Sequence, residues 1–145
     1  MTVIHKSALV PYSAEQMYDL VNDVESYPRF LPWCADVQLL SKNRESLMAT
    51  IVVSKGALKQ AFTTMNAMEE GQRIEMNLVE GPFKYFKGLW RFDPLEAKGC
   101  EVSFHLSFEF ARGLIELAFG RTFRQLANSL VDAFCQQAQE RYGKP

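Results

Sequence analysis

The C-terminal stretch, residues 113–142, constrains the fold more than any other part of the sequence. From Phe119 onward, apolar residues recur at helical spacing on one side, while the opposite side is polar or charged. This apolar stripe consists of Phe119, Phe123, Leu126, Ala127, Leu130 and Phe134. The pattern predicts one amphipathic helix, roughly 45 Å long at about 1.5 Å per residue. Because a helix cannot bury such a stripe alone, the rest of the chain must supply a surface that covers it.

Length and composition indicate one ordinary globular domain, residues 1–145. The hydrophobic share is 48% and the net charge is −1, so no bulk attraction to nucleic acid or to anionic membranes is expected. The sequence shows neither a membrane-spanning run nor a signal segment, which favours a cytoplasmic protein. Cys34, Cys100 and Cys135 lack the spacing of metal ligands, so we expect reduced thiols and no metal site.

The residues before the long helix are predicted to form one short helix and seven strands. Ser13 and Gln16 have the spacing of a capping box, and apolar residues follow at helical intervals, which predicts a helix over residues 13–24. Strands are predicted at residues 2–10, 35–41, 47–54, 58–68, 74–78, 86–92 and 102–110. Short polar connections between the later strands indicate an antiparallel meander. The expected fold is α+β, an antiparallel sheet that curls around the C-terminal helix with room for an apolar cavity between them.

The segment at residues 25–34 is unusually apolar for a connection. It carries Tyr27, Phe30 and Trp33 together with two prolines, and the prolines exclude a continuous helix through it. Two interpretations remain open. The aromatic side chains either plug the core or form one wall or lid of a ligand cavity.

No catalytic set is visible in the sequence. The only histidines are His5, which has no obvious partner, and His105, which lies on the polar side of the last strand. Motifs for nucleophilic hydrolases, phosphate-binding loops and zinc proteases are missing from the sequence. We also find no polar cluster on the inward faces of the strands that would support catalysis. The sequence therefore predicts a binding protein and not an enzyme.

The first turns of the long helix are apolar on nearly all sides. Leu114 and Leu117 lie on the side that later becomes polar. Either another loop covers them, or they form an exposed patch for a partner or a membrane surface, or they gate the mouth of the cavity. Glu116 lies toward the apolar stripe, where it could meet the polar head of a ligand, but a carboxylate in a first helical turn more commonly reaches solvent.

Three segments of the sequence resemble a known protein family. Residues 10–34 read VPYSAEQMYDLVNDVESYPRFLPWC and resemble the opening of the coenzyme Q-binding START-domain proteins. Residues 77–90, NLVEGPFKYFKGLW, and residues 104–123, FHLSFEFARGLIELAFGRTF, are similar to the bacterial ribosome association toxin branch of that group. The resemblance covers essentially the whole chain. It implies the helix-grip fold, a seven-stranded antiparallel sheet wrapped around a long C-terminal helix, and no catalytic residues.

The resemblance implies two functions of different classes. One is binding of ubiquinone or a related isoprenoid lipid in an apolar cavity, in support of respiration and with no cofactor required. The other is association with the large ribosomal subunit, which hinders subunit joining, within a toxin–antitoxin pair. Contact with a membrane surface is a further possibility. Relatives are also described as polyketide cyclases, but cyclase chemistry would need a buried acid or base.

The two functions would depend on different residues. The lipid site would use inward-facing apolar side chains, namely Tyr27, Phe30, Trp33, Phe62, Phe86, Trp90, Phe104, Phe108, Phe119, Phe123 and Leu126. Contact with ribosomal RNA would use basic side chains, namely Lys84, Lys87, Arg91, Arg121 and Arg124.

Overall fold

The computed structural model describes residues 1–96 and 98–143, which form strands, two short helices and one long helix. The helices are α1 (Ala14–Asn22), α2 (Tyr27–Phe30) and α3 (Gly113–Tyr142). The strands are β1 (Thr2–Val10), β2 (Cys34–Lys42), β3 (Ser46–Lys55), β4 (Leu58–Glu69), β5 (Arg73–Glu80), β6 (Phe83–Pro94) and β7 (Cys100–Phe110).

The strands form one seven-stranded sheet in the order β1-β7-β6-β5-β4-β3-β2, with every neighbouring pair antiparallel. Strands β2 to β7 make the predicted meander. The first strand does not continue it, because α1 and α2 carry the chain from one edge of the sheet to the other. β1 therefore pairs with β7. The predicted fold class, an antiparallel sheet with a long C-terminal helix, is confirmed.

The first helix begins as predicted. The Ser13 hydroxyl accepts a hydrogen bond from the Gln16 backbone N–H at 3.1 Å, and the Gln16 side-chain oxygen accepts one from the Ser13 backbone N–H at 2.9 Å. Its end was predicted too late. The α-helix stops at Asn22, and a 3-10 turn at Val24–Ser26 leads into α2.

One of the two prolines of the following segment lies within α2 and the other just after it. Pro28 lies in its first turn, where a missing backbone N–H costs nothing, and Pro32 follows the end of the helix. The exclusion of a continuous helix was correct, since the helix is a single turn.

A β-bulge near the start of β6 changes which residues face inward. The register shifts between Phe83 and Tyr85, so that Phe83 and Phe86 are both buried although they are three residues apart. Lys84 and Tyr85 are both exposed. The strand therefore starts three residues before the predicted position and adds one aromatic ring to the core.

The sheet packs its concave side against α3. The predicted stripe of the helix is buried, except that Leu130 is half-buried, and Val131 and Ala138 extend it toward the C-terminus. At the other end of the stripe, Phe123 is surrounded by phenylalanine rings. Its ring centroid lies 5.0 Å from that of Phe83 and 5.0 Å from that of Phe108. The core is thus mainly aromatic at the N-terminal half of α3.

Candidate ligand-binding cavity

A cavity lies between the inner face of the sheet and α3. Strands β3 to β7, α1, the segment around α2, and α3 all contribute to its wall. The lining side chains are Val21, Val24, Tyr27, Trp33, Ala49, Ile51, Phe62, Thr64, Asn66, Ile74, Met76, Phe86, Trp90, Phe104, Leu106, Phe123, Leu126, Ala127, Leu130 and Phe134. Nearly all of them are apolar, so the cavity suits a hydrophobic molecule.

The cavity is narrow. The space open to the centre of a water molecule is about 50 Å³. Pockets that hold drug-sized ligands commonly measure several hundred Å³. A lipid-sized molecule therefore fits only if the sheet and α3, or the side chains between them, move apart.

Most of the residues proposed from the sequence for lipid binding meet in this cavity. Its wall includes Tyr27, Trp33, Phe62, Phe86, Trp90, Phe104, Phe123 and Leu126. Three do not line it. Phe30 packs against Tyr27 and Phe134 from outside the wall, while Phe108 and Phe119 are buried in the aromatic cluster around Phe123.

The segment before β2 satisfies both interpretations of its aromatic side chains. Leu31 and Cys34 are fully buried and belong to the core. Tyr27 and Trp33 are part of the cavity wall. Some side chains of the segment therefore fill the core while others form part of the cavity wall, and Tyr27 does both.

Two polar residues in the cavity wall were not predicted from the sequence. Thr64 and Asn66 are buried on the inner face of β4, and the Thr64 hydroxyl donates a hydrogen bond to Asn66 Oδ1 at 3.0 Å. The pair contains neither an acid nor a base, so it does not contradict the expectation that no polar cluster on the inward faces supports catalysis. The signal was available, because Phe62, Thr64, Asn66 and Met68 share one parity along β4.

A shallow groove adjoins the cavity at one end. Trp33, Lys55, Thr122, Gln125, Leu126 and Ser129 line it. Since Trp33 and Leu126 also line the cavity, they separate the cavity from solvent at this point. Trp33 is half-buried and lies on a connection, so the groove is the candidate entrance.

Tyr27 is the titratable side chain of the cavity wall. It is buried, and its hydroxyl donates a hydrogen bond to the Val21 carbonyl oxygen. Burial raises the pKa of Tyr27 above its ordinary value. The phenol therefore stays protonated at any physiological pH and serves as a fixed structural contact.

Two buried thiols are expected to make the free energy of unfolding decrease at alkaline pH. Burial raises the pKa of Cys34 and of Cys100 from 9.0 to about 11. Between those values the folded chain holds more protons than the unfolded chain. Their contribution to stability is therefore complete below about pH 9 and is lost as the pH rises through about 11. We expect urea unfolding at a series of alkaline pH values to show this loss.

The matched control is the double variant Cys34→Ala/Cys100→Ala. Its stability is lower at every pH because two buried side chains are shortened, but its decline between pH 9 and 11 should be less steep. An equally steep decline in the variant would show that other groups cause the loss.

Comparison with known proteins identifies the family. A family model described as polyketide cyclase/dehydrase and lipid transport matches residues 10–135. The chain belongs to this family. The resemblance to the START-domain proteins is confirmed, and the fold of this family member agrees with it.

Named relatives come from both branches that the sequence resembles. The chain is 51% identical over 142 residues to the ribosome association toxin RatA of Escherichia coli, covering 98% of this chain and 90% of that protein. It is 28% identical over 144 residues to the mitochondrial coenzyme Q-binding protein of Drosophila melanogaster, covering 97% of this chain and 60% of that protein. These relatives and the fold indicate a START-like ligand-binding protein.

A solved structure supports the fold. The START superfamily protein of Mycobacterium smegmatis superposes with a TM-score of 0.75 at 19% identity, covering 95% of this chain and 97% of that chain. At this identity the likeness is evidence for the shared architecture alone.

In this family member, the N-terminal turns of α3 present leucines to solvent. Leu114 is 78% exposed and Leu117 is 84% exposed, so the interpretation in which a loop covers them is wrong. Glu116 is also exposed, and its carboxylate lies 3.9 Å from the Arg124 guanidinium. Glu116 does not line the cavity, as the preferred interpretation held.

The basic residues proposed for RNA contact differ in their surroundings. Acidic groups lie near three of them. Lys87 is 3.4 Å from Glu75, Arg91 is 3.8 Å from Asp93, and Arg124 lies near Glu116. Within residues 1–96 and 98–143, Lys84 and Arg121 have no ion pair. Those two are the strongest positions for contact with an external anion.

The histidines lie outside the cavity. His5 and His105 are exposed and directly opposite each other on β1 and β7, with ring centroids 5.0 Å apart. The pairing was missed because the β1–β7 neighbourhood is not visible in sequence. In the described part of the chain no group of three or more His, Cys, Asp or Glu side chains could hold a metal ion, and no helix is long and apolar enough to cross a membrane.

Proposed function

We propose that the protein is a non-enzymatic carrier that holds an isoprenoid lipid such as ubiquinone in the cavity between the sheet and α3. The observation that carries the proposal is the apolar wall of that cavity, which aromatic rings line from both the sheet and the helix. Burying an apolar ligand against such a wall is favourable because apolar surface is removed from water. A polar ligand would find few hydrogen-bond partners there. The coenzyme Q-binding relative supports the choice of ligand class.

A cyclase function has less support from the same wall. Acid–base catalysis needs a group that exchanges a proton near neutral pH. Tyr27 is the titratable group among the lining residues, and its raised pKa holds its proton at neutral pH. Binding without chemistry is therefore the better account.

Titration with a short-tail ubiquinone tests the proposal directly. Both tryptophans of the chain, Trp33 and Trp90, line the cavity, so a quinone bound there lies close to at least one indole. We expect saturable quenching of tryptophan fluorescence with one quinone per chain. Quenching that rises linearly without saturation, as for free tryptophan amide, would contradict the proposal.

A second candidate function is association with the large ribosomal subunit. It is favoured by the 51% identity to RatA across nearly the whole chain. The cavity plays no direct part in it, so the two functions are compatible. The contact would involve surface residues, and phosphate binding by lysine and arginine is the expected chemistry.

The unpaired basic residues provide the test of ribosome association. We expect Lys84→Glu/Arg121→Glu to weaken sedimentation with large subunits. The remaining binding should also depend less on salt, because removing one phosphate-binding side chain makes the slope of log affinity against log salt shallower by about 0.7–0.9.

The control variant Lys6→Glu/Lys59→Glu changes the net charge equally at two other exposed positions. It should sediment with subunits like the unaltered protein. Equal effects of the two double variants would indicate a general charge effect and contradict a contact at Lys84 and Arg121.

A further inference from the structure

The polar pair in the cavity wall lies on a rigid element among apolar neighbours. Thr64 is 2% exposed and Asn66 is 6% exposed, and both line the cavity. The residues directly opposite Asn66 are Leu47 on β3 and Met76 on β5. Neither neighbour offers a side-chain hydrogen-bond acceptor of ordinary strength.

The hydrogen bond within the pair decides which group is left for a ligand. Because the Thr64 hydroxyl donates to Asn66 Oδ1, the Asn66 amide nitrogen is turned away from Thr64. An asparagine amide nitrogen carries two N–H donors. In the described residues no side-chain hydrogen bond is donated by this nitrogen, and it is not among the fully buried polar atoms without a partner, so it keeps some open surface, which in this wall faces the cavity. When an apolar ligand fills the cavity, such a donor loses contact with water, which is costly unless the ligand brings an acceptor.

The pair is remote from the entrance. Lys55, which lines the groove, pairs with Leu58 at the start of β4. Asn66 follows Leu58 by eight residues, which is about 26 Å along an extended strand at about 3.3 Å per residue. A molecule that enters at the groove therefore reaches Asn66 with its leading end and leaves its tail toward Trp33 and Leu126.

We infer that Asn66, oriented by Thr64, is the anchor for a carbonyl oxygen at the head of the lipid and selects a quinone over a plain isoprenoid hydrocarbon. This inference rests on the proposed lipid-binding function. A quinone carbonyl accepts hydrogen bonds and donates none, which complements an amide N–H. A hydrocarbon leaves the donor without a partner, so the cavity discriminates against it.

Competition between two ligands tests the anchor. Phosphatidylcholine vesicles carry equal amounts of a two-isoprene ubiquinone and the isoprenoid hydrocarbon squalane, and the lipid taken up by the protein is quantified by mass spectrometry. We expect Asn66→Leu to lower the ratio of quinone to hydrocarbon about tenfold, the value of one hydrogen bond to a buried donor. Total uptake should change less than twofold, since leucine keeps the wall apolar and of similar size.

Two further variants complete the design. Thr64→Val keeps the shape of the side chain but frees the Asn66 amide to rotate, and we expect about a threefold lower ratio. It decides the question if Asn66→Leu does not fold. The control Asn77→Leu, on the outer face of β5, should leave the ratio unchanged.

The outcomes separate the anchor from the carrier function. If the unaltered protein takes up both lipids and the Asn66 and Thr64 variants keep its ratio, the anchor is wrong and the carrier function stands. If the unaltered protein takes up neither lipid, both proposals fail.

Discussion

Replacing Phe123 with alanine is expected to lower the free energy of unfolding by about 3–5 kcal/mol. Phe123 is fully buried on α3, and its ring meets those of Phe62 on β4, Phe83 on β6 and Phe108 on β7. Truncation removes the buried ring and leaves a cavity that the sheet, held by its strand hydrogen bonds, closes only in part. The loss is a large share of the stability of a typical domain. Urea unfolding followed by circular dichroism measures it.

Leu117→Ala is the matched control on the same helix. Leu117 projects into solvent, so its truncation should change the free energy of unfolding by no more than about 0.5 kcal/mol. Equal losses in the two variants would contradict the packing of α3 on the concave side of the sheet.

Filling the cavity is expected to abolish quinone binding. Ala49 lies on the inner face of β3, is fully buried and lines the cavity. Ala49→Leu adds three carbon atoms to a space of about 50 Å³, so the ligand and the new side chain compete for the same room. We expect the affinity for short-tail ubiquinone to fall at least tenfold, a cost of about 1.4 kcal/mol or more. The fluorescence titration measures it.

The control for this variant is Ala67→Leu, on the exposed outer face of β4. It adds the same atoms outside the cavity and should leave the affinity unchanged. Ala49→Leu can also strain the core by about 1–3 kcal/mol, so its fold is checked by circular dichroism. A folded Ala49→Leu protein with undiminished affinity would show that the ligand binds elsewhere.

Periodicity made the main features of the fold predictable from sequence. The apolar stripe of α3 repeats at helical spacing, and in β7 every second residue is buried while those between are half-buried or, at His105, exposed. Both patterns arise from local geometry, because a helix and a strand each place side chains on their faces at a fixed period. The capping box at Ser13 is equally local and was found in the structure as expected.

Features that depend on contacts between distant residues were not predictable in the same way. The bulge near Phe83 shows only once β6 is aligned with β7, and the pairing of His5 with His105 needs the β1–β7 neighbourhood. Phe108 and Phe119 face inward, as their spacing requires, but other rings shield them from the cavity. Periodicity identifies the face of an element and does not say which part of that face meets a void.

The polar pair shows a different limit. Thr64 and Asn66 have the parity of the inner face of β4, but polar residues are more common on exposed faces, so the sequence alone does not indicate that they are buried. A polar residue at a buried position is costly unless it is hydrogen-bonded. For that reason such positions are informative about function. The hydrogen bond between these two residues and their place in the cavity wall are seen only in the structure.

A crystal structure of the protein grown with a short-tail ubiquinone tests the central claim most directly. The account predicts the quinone between the inner face of the sheet and α3, with its ring near Asn66, its tail toward Trp33 and Leu126, and the cavity walls farther apart than in the present structure. A quinone found only outside this cavity, with the rings of Trp90 and Phe104 still stacked on each other, would contradict the account.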